Sequence, residues 1–329
     1  MFQKNVLRDY ELALFVSYVI ETVELSKTYS GGVQALKGLN MKIKAGESVG
    51  FLGPNGAGKT TTIQILLNLI HPTSGEVYLF EEPMKGRARE LLSRVGALVG
   101  EPGYYNNLTP NDLLEYICQS YRMDKRTTTL RIKEVLEEVR LSDVRFKKIG
   151  TFSTGMKRRL GIAQVLVHDP ELIILDEPTL GLDPKGIREI RDIIKGINKE
   201  GKTIFLTSHN LTEAYEINQR FIFLDKGKLI SDESIEKIES ILGESIIEVE
   251  FYKDVSPDKI DLVRRISGVV DVKKDTNHSF ILEYSGDKKT VHAILKEIVN
   301  LNLPIITFNP RHMTLEDYYL RLYSQNEGN

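Results

Sequence analysis

Three short apolar runs constrain the fold of this chain more than any other feature. They are SVGFL (48–52), LIIL (172–175) and TIFLT (203–207), and none alternates polar with apolar residues. This pattern is typical of strands in a parallel sheet that is buried on both faces. Because amphipathic helical stretches separate the runs, the sequence predicts an α/β fold with a mainly parallel core sheet. A polar motif follows each run, and since ligands bind beyond the carboxyl ends of parallel strands, we expect the motifs to line one crevice.

The segments around these runs predict the rest of the architecture. Residues 19–25 and 36–43 favour an antiparallel β layer, and apolar residues spaced three and four apart predict a helical subdomain at about 104–168. After residue 231 the predicted order is β-α-β-β-α-β, the ferredoxin-like α+β plan. The expected organisation is an N-terminal extension (1–18), a main domain (19–231) and a C-terminal accessory domain (232–329).

Composition narrows the class of protein. The net charge is −2, so no nucleic-acid partner is expected. The single cysteine, Cys118, excludes an internal disulfide and fits a reducing compartment. The apolar run at 12–20 has nine residues, whereas a membrane span needs about twenty. We interpret that run as a packed segment leading into the first strand, so a partner would have to supply any membrane span.

The motif GPNGAGKT follows the first run and matches G-x-x-x-x-G-K-[ST]. Its glycines let backbone N–H groups approach phosphates, Lys59 would reach the β- and γ-phosphates, and the Thr60 hydroxyl would bind Mg²⁺. The helical pattern TTIQILLNLI comes next, which is the context that a phosphate-binding loop, or P-loop, requires. The predicted nucleotide-binding residues of this segment are Gly53, Pro54, Asn55, Gly56, Ala57, Gly58, Lys59, Thr60 and Thr61.

Acidic and imidazole side chains follow the other two runs. Asp176 could hold Mg²⁺ directly or through water. Glu177 is placed to polarise a water in line with the γ-phosphate. His209 could contact the γ-phosphate or orient that water. Asp183, followed by Pro184, is predicted to cap a helix, which does not exclude a second role.

The stretch FSTGMKRRLGIA (152–163) predicts a second anion site. Ser153 and Gly155 precede a helical segment with basic residues, which is how a helix N-terminus is prepared for an anion. The chain therefore carries two phosphate-binding patterns, about a hundred residues apart.

Taken together, residues 19–231 resemble the nucleotide-binding subunit of an ATP-binding cassette (ABC) transporter. GPNGAGKTTT resembles the Walker A motif, LIILDE the Walker B motif and FSTGMKRRLGIA the signature usually written L-S-G-G-Q. GLD (181–183) resembles the D-loop, TSH with His209 resembles the switch histidine, and Tyr29 falls where the family places the aromatic that stacks on adenine.

The resemblance implies an ATPase with ATP and Mg²⁺ as cofactors. Two subunits of this family face each other head to tail, so the signature helix of one meets the γ-phosphate held by the P-loop of the other. The implied partners are a second cassette, expected to be another copy of this chain, and a membrane-spanning permease. The chain is then expected in the cytoplasm, peripheral on the inner face of the cell membrane, with the helical insert at about 104–150 as the permease contact.

The sequence departs from the family pattern in two places. Phe152, Thr154 and Met156 replace the usual Leu, Gly and Gln of the signature, while Ser153 and Gly155 remain. In the segment that resembles the Q-loop, Gly100 stands at the glutamine position and Glu101 follows. Either Glu101 takes over the Mg²⁺ and water contact, or this corner has lost a ligand.

The C-terminal segment MTLEDYYLRLY resembles the end of ATPase subunits of ABC-2-type exporters. The sequence therefore favours an ATPase subunit that powers such an exporter through ATP-driven pairing of two cassettes. The alternative is a soluble, non-transport ABC ATPase that acts on nucleic acid, ribosomes or an assembly complex. The stretch from Gly53 to Asp176 is too short for the coiled-coil arm of genome-maintenance members, and ribosome-associated members usually fuse two cassettes, whereas this chain has one.

Overall fold

The computed structural model describes residues 17–100, 103–242, 245–274, 276 and 278–326. The chain forms two compact units, which divide between Ile235 and Glu236. The strands of the first unit are β1 (Tyr18–Thr28), β2 (Gln34–Lys44), β3 (Ser48–Leu52), β4 (Ser74–Leu79), β5 (Glu82–Pro83), β6 (Val95–Leu98), β7 (Leu172–Asp176), β8 (Thr203–Ser208), β9 (Arg220–Asp225) and β10 (Lys228–Ser234). Its helices are α1 (Lys59–Leu66), α2 (Ala88–Leu92), α3 (Pro110–Ser120), α4 (Lys125–Glu138), α5 (Thr154–Leu166), α6 (Pro184–Lys199) and α7 (Leu211–Ile217), with 3₁₀ turns at Ser142–Val144 and Ile149–Thr151.

The core sheet has the strand order β10-β9-β3-β8-β7-β6, and β10 alone of these strands runs antiparallel to its neighbour. Ile204 and Leu206 of β8 face one apolar cluster, and Phe205 faces the other. β7 alternates in the same way. The three apolar runs are therefore buried on both faces, and the predicted α/β class is confirmed.

Each face of the core sheet is covered by a different layer. The strands β2-β1-β4-β5 form an antiparallel sheet whose apolar residues belong to one cluster, and helices α3 to α6 contribute to the other. Local signals set where the helices begin. Thr109 and Asp112 form a reciprocal capping box at α3, and Asp124 caps α4.

The predicted boundary at residue 231 falls inside β10. Because β10 pairs with β9 along its length, it belongs to the core sheet, and the first unit extends to Ile235. Of the residues that the structure describes, no helix is both long enough and apolar enough to cross a membrane.

The second unit has the ferredoxin-like order. Its elements are α8 (Ile235–Leu242), which begins at the division, β11 (Ser245–Phe251), α9 (Pro257–Arg264), β12 (Val269–Lys274), β13 (Ser279–Tyr284), α10 (Lys288–Asn300), β14 (Ile305–His312) and α11 (Leu315–Asn326). The sheet is antiparallel with the order β12-β13-β11-β14. Ile247, Val249 and Phe251 face the main apolar cluster of this unit, together with Ile294 and Ile298 of α10.

The opposite face of this second sheet is also covered, which alternation in β11 did not predict. Ile246 points away from the main cluster and is nevertheless buried. Its neighbours on the adjacent strands are Glu283 and Arg311. Glu283 forms an ion pair with Arg321 of α11, and Arg311 forms one with Asp317 of the same helix. Helix α11 therefore lies over this face.

We expect Phe205→Ala to destabilise the first unit by about 3–5 kcal/mol, because it removes a fully buried ring from the centre of the core sheet. The Phe205 ring is packed 5.2 Å from that of Phe51, centroid to centroid. Urea unfolding is the measurement, with the exposed Leu130→Ala as the control. A loss no larger than that of the control would contradict the central position of Phe205.

Candidate functional site

The polar motifs after β3, β7 and β8 line one cleft, as the parallel topology requires. The cleft has a volume of about 800 Å³. Residues that line it include Pro54, Asn55, Gly56, Gly58, Lys59, Thr60, Thr61, Asp176, Glu177 and His209. The three strands end side by side, so residues far apart in sequence share this cleft.

The P-loop is shaped by glycines at positions that other residues would disturb. Gly58 has φ +113° and stands directly before α1, so the loop delivers the helix N-terminus to the cleft. A Cβ at Gly53 would lie 2.3 Å from the Leu224 carbonyl oxygen, which only glycine avoids. Lys59 folds back over the loop and its Nζ donates to the carbonyls of Gly53, at 2.6 Å, and Pro54, at 3.3 Å.

Lys59 is a cation with little access to water. The residue is only 7% exposed, and burial lowers the pKa of its ammonium group, while the carboxylates of Glu177 and Asp176 oppose that effect. An anion brought into the cleft would compensate this buried positive charge. The helix N-terminus of α1 provides further attraction for an anion.

The carboxylates of Asp176, at the end of β7, and of Glu177, directly after it, are held by residues at the end of β8 and just beyond it. The Asp176 Oδ1 accepts a hydrogen bond from the Thr207 hydroxyl at 2.6 Å. The Glu177 Oε2 lies 2.8 Å from the His209 Nδ1 and accepts the His209 backbone N–H at 3.3 Å. The predicted base and the predicted switch histidine are therefore in direct contact.

The oxygen atoms of Thr60 and Asp176 are of the kind that Mg²⁺ prefers. Within the described residues, no group of three or more His, Cys, Asp or Glu side chains could hold a metal ion. A magnesium ion in this cleft would therefore depend on phosphate oxygens and water for the rest of its coordination, which is its usual arrangement in nucleotide sites.

Tyr29 lies near the P-loop helix. Its hydroxyl is 3.2 Å from the Thr61 hydroxyl, and the residue is 38% exposed. Lys27 places its Nζ 5.4 Å from the centre of the ring. The aromatic ring is thus positioned beside α1 and accessible to a planar ligand.

Ser153, Gly155 and Asp183 lie together in a second cleft of about 500 Å³. The Ser153 hydroxyl caps α5 by accepting the Met156 N–H at 3.2 Å, and Asp183 caps α6 by accepting the Gly186 N–H at 2.8 Å. In the described part of the chain, a Cβ at Gly155 would meet nothing within 4 Å. No P-loop residue is among those that line this second cleft.

Sequence reasoning missed two buried polar residues of the site. The Thr207 hydroxyl, on β8, donates to the Asp176 carboxylate and accepts the Glu177 backbone N–H. Arg158 of α5 is 6% exposed and donates to the carbonyls of Gly100 and Leu180, each at 3.3 Å. Thr207 lies in an apolar strand and Arg158 in a run of basic residues, so neither stands out in the sequence. Both are identified by their burial in the structure. Glu101, the candidate replacement for the Q-loop glutamine, lies outside the described residues.

We expect wild type to gain stability relative to Lys59→Met as the pH is raised. Burial makes the folded chain lose the Lys59 proton at a lower pH than the unfolded chain does, so stability rises between the lowered pKa and the ordinary value of 10.5. Lys59→Met lacks this contribution. The measurement is urea unfolding of both proteins at several pH values from neutral to alkaline. A constant difference between them would contradict a buried ammonium.

The known proteins that this chain resembles are named as ATP-binding proteins of transporters. An ABC transporter family model matches residues 36–180. The chain is 34% identical to the uncharacterized ABC transporter ATP-binding protein YcbN of Bacillus subtilis (strain 168), over 94% of this chain and 99% of that protein. It is 45% identical to the bacitracin transport ATP-binding protein BcrA of Bacillus licheniformis, over 66% of this chain and 70% of that protein. The BcrA protein of Enterococcus faecalis is 34% identical, over 94% of this chain and 97% of that protein.

Solved structures agree with these relatives. CbiO1 of Clostridium perfringens, part of the ABC transporter complex cbiONQ, matches with a TM-score of 0.64 and 28% identity, over 68% of this chain and 91% of that chain. The ATP-binding cassette MJ0796, in a dimeric post-hydrolysis state bound to ADP and Pi, matches with a TM-score of 0.59 and 30% identity, over 66% of this chain and 98% of that chain. The resemblance inferred from the motifs is confirmed: the chain belongs to the family of ABC transporter ATP-binding proteins and is an ATPase.

Proposed function

We propose that this chain is the ATP-binding and ATP-hydrolysing subunit that powers an ABC-2-type exporter. In this proposal two cassettes close around ATP, and the pair docks on a membrane-spanning permease at the inner face of the cell membrane. The bacitracin transport relatives support a role in transport, and the Enterococcus faecalis protein aligns over almost the whole chain. The single observation that carries the paired mechanism is the separation of the two anion sites into two clefts.

Each of the two clefts contains groups for binding phosphate that the other cleft lacks. The P-loop cleft contains Lys59 and two carboxylates, with which it could hold a nucleotide and its metal ion. The signature cleft offers the N-terminus of α5, Ser153 and an unobstructed backbone at Gly155, but no P-loop. Helix α5 has 13 residues, so its dipole and free N–H groups are well developed. A γ-phosphate held by the P-loop of a second copy would supply the missing anion.

The residues of the P-loop cleft divide the work of hydrolysis in this proposal. Lys59 and the N–H groups of the loop bind the β- and γ-phosphates. Thr60 and Asp176 hold Mg²⁺, which neutralises phosphate charge when it is bound. Glu177 polarises the attacking water, and His209 orients Glu177 through the contact between Nδ1 and Oε2. Tyr29 stacks on the adenine.

Glu177→Gln should bind ATP with Mg²⁺ and hydrolyse it roughly 10²–10⁴-fold more slowly, because the amide cannot accept a proton from water. Single-turnover hydrolysis is the measurement. The matched control is Glu297→Gln, which makes the same change at an exposed residue of the accessory unit. Turnover like that of wild type in Glu177→Gln would exclude Glu177 as the general base.

Gly155→Asp should leave ATP binding by the monomer nearly intact and abolish the ATP-dependent dimer of a Glu177→Gln background. The introduced carboxylate would meet a γ-phosphate from the partner as a like charge. Gly155→Ala is the matched control, because the open space at this position accepts a methyl group without adding charge. Calorimetry measures nucleotide affinity, and light scattering measures the mass with and without ATP.

Three results would separate the possibilities. A dimer that persists in the Gly155→Asp variant would mean that the α5 N-terminus does not bind the partner's γ-phosphate. Loss of monomer binding in Gly155→Asp would mean that α5 serves its own nucleotide. If the Glu177→Gln parent does not dimerise, the test must be repeated with the permease present.

The transport role is tested by purifying the chain from membranes and identifying what accompanies it. A hydrophobic permease with several spans is the expected partner, and the helical insert at about 104–150 is the proposed contact. Recovery with ribosomes, nucleic acid or a soluble assembly would instead support the non-transport alternative.

A further inference from the structure

Thr207 is a polar residue near the carboxyl end of a strand that is buried along its whole length. All six residues of β8 are buried, and Thr207 is 0% exposed. A hydroxyl at this depth is destabilising unless it forms hydrogen bonds. The Thr207 hydroxyl donates to the Asp176 Oδ1 at 2.6 Å and accepts the Glu177 backbone N–H at 3.1 Å. It therefore serves two consecutive residues, which are the two carboxylates of the site.

The parallel register explains why one hydroxyl reaches both carboxylate residues. Asp176 of β7 is directly paired with Thr207 of β8, and β7 ends at this pair. The chain then turns sharply, with Glu177 at φ +49°, a left-handed conformation that is unfavourable for a residue other than glycine. Such a conformation persists only where the surroundings hold it. The acceptor at Thr207 holds the backbone of Glu177, while His209 contacts its carboxylate.

The same hydroxyl sets the orientation of the neighbouring carboxylate. A short hydrogen bond to Oδ1 restricts rotation of the Asp176 side chain about its last torsion. Asp176 Oδ2 is then the oxygen that remains for a cation. The hydroxyl thus couples the direction of the Asp176 carboxylate to the turn that places Glu177.

We infer that Thr207 is a positioning residue for ATP hydrolysis, which aligns Asp176 toward the metal ion and Glu177 toward the water through one hydroxyl. The inference rests on the roles proposed above for these two carboxylates. Thr207 touches neither nucleotide nor water in this assignment. Its effect passes entirely through Asp176 and the Glu177 backbone.

Thr207→Val removes the hydroxyl and keeps the branched shape, and Thr207→Ser restores the hydroxyl. The matched control is Thr203→Val, because Thr203 is also a buried threonine of β8, only 1% exposed, and its hydroxyl accepts a backbone N–H, that of Gly46, at 2.9 Å. Thr203 stands at the other end of the strand, away from the carboxylates. Both valine variants therefore lose a buried hydroxyl, but only Thr207→Val removes hydrogen bonds to Asp176 and Glu177.

The first measurement is metal affinity without turnover. Mn²⁺ is titrated into each protein in the presence of a non-hydrolysable ATP analogue, and nucleotide affinity is measured separately in EDTA. We expect Thr207→Val to weaken metal binding by roughly 10–100-fold, the usual effect of removing a residue that orients a ligand, with nucleotide affinity in EDTA unchanged. Single-turnover hydrolysis should fall over a similar range. Thr207→Ser and Thr203→Val should both stay close to wild type.

Three outcomes would overturn the inference: metal affinity and hydrolysis that are unchanged in Thr207→Val, an equal loss in Thr203→Val, or no recovery in Thr207→Ser. Failure of the proposed carboxylate roles is recognised separately, because Asp176→Asn would then leave the metal affinity unchanged whatever Thr207→Val does. Circular dichroism and thermal unfolding establish that each variant is folded. If Thr207→Val does not fold, Thr207→Cys, with its weaker thiol donor, should show a smaller loss in the same titration, and wild-type affinity in that variant would overturn the inference.

Discussion

The parallel pairing of β3, β8 and β7 is the constraint on which the site depends. Backbone hydrogen bonds align the carboxyl ends of these strands, so the P-loop, the Asp176–Glu177 pair and His209 meet although they are far apart in sequence. The pairing is buried between two apolar clusters, because each face of the sheet is covered by a different cluster. The cleft then has rigid walls, and the polar groups begin where the strands stop.

Charge is distributed unevenly over the first unit, and this distribution suits a phosphate ligand. Lys59 is buried against carbonyl oxygens of its own loop and shares the cleft with Asp176 and Glu177, whose negative charges act on it. The N-termini of α1 and α5 add two further centres of positive potential, but they open into different clefts. A single nucleotide in the P-loop cleft would leave the α5 centre unused, which is the physical basis for proposing a second copy as its partner.

The sheet of the accessory unit is antiparallel, and its two faces are covered in different ways. Its antiparallel sheet is packed on one face by α9 and α10 and is covered on the other by α11, which is attached by ion pairs at Arg311 and Glu283. Asp317 also caps α11 through Thr314, so one carboxylate both begins the helix and holds it to the sheet. Tyr318, next to this carboxylate, is buried as well.

The sequence by itself determined the α/β class, the core strands, the P-loop and the ferredoxin-like order, because these follow from local periodicity and from glycine and capping residues. It also located Asp176, Glu177 and His209, since strand ends can be read from where an apolar run stops. Only the tertiary structure revealed Thr207 and Arg158, because a threonine in an apolar strand or an arginine in a basic run has no pattern of its own. Their hydrogen-bond partners lie far away in sequence. Thr207 bonds to Asp176 of the neighbouring strand β7, and Arg158 bonds to the carbonyls of Gly100 and Leu180. The placement of the two proposed anion sites in separate clefts was likewise decided by packing, because it depends on where α1 and α5 lie in the fold rather than on the residues at their ends.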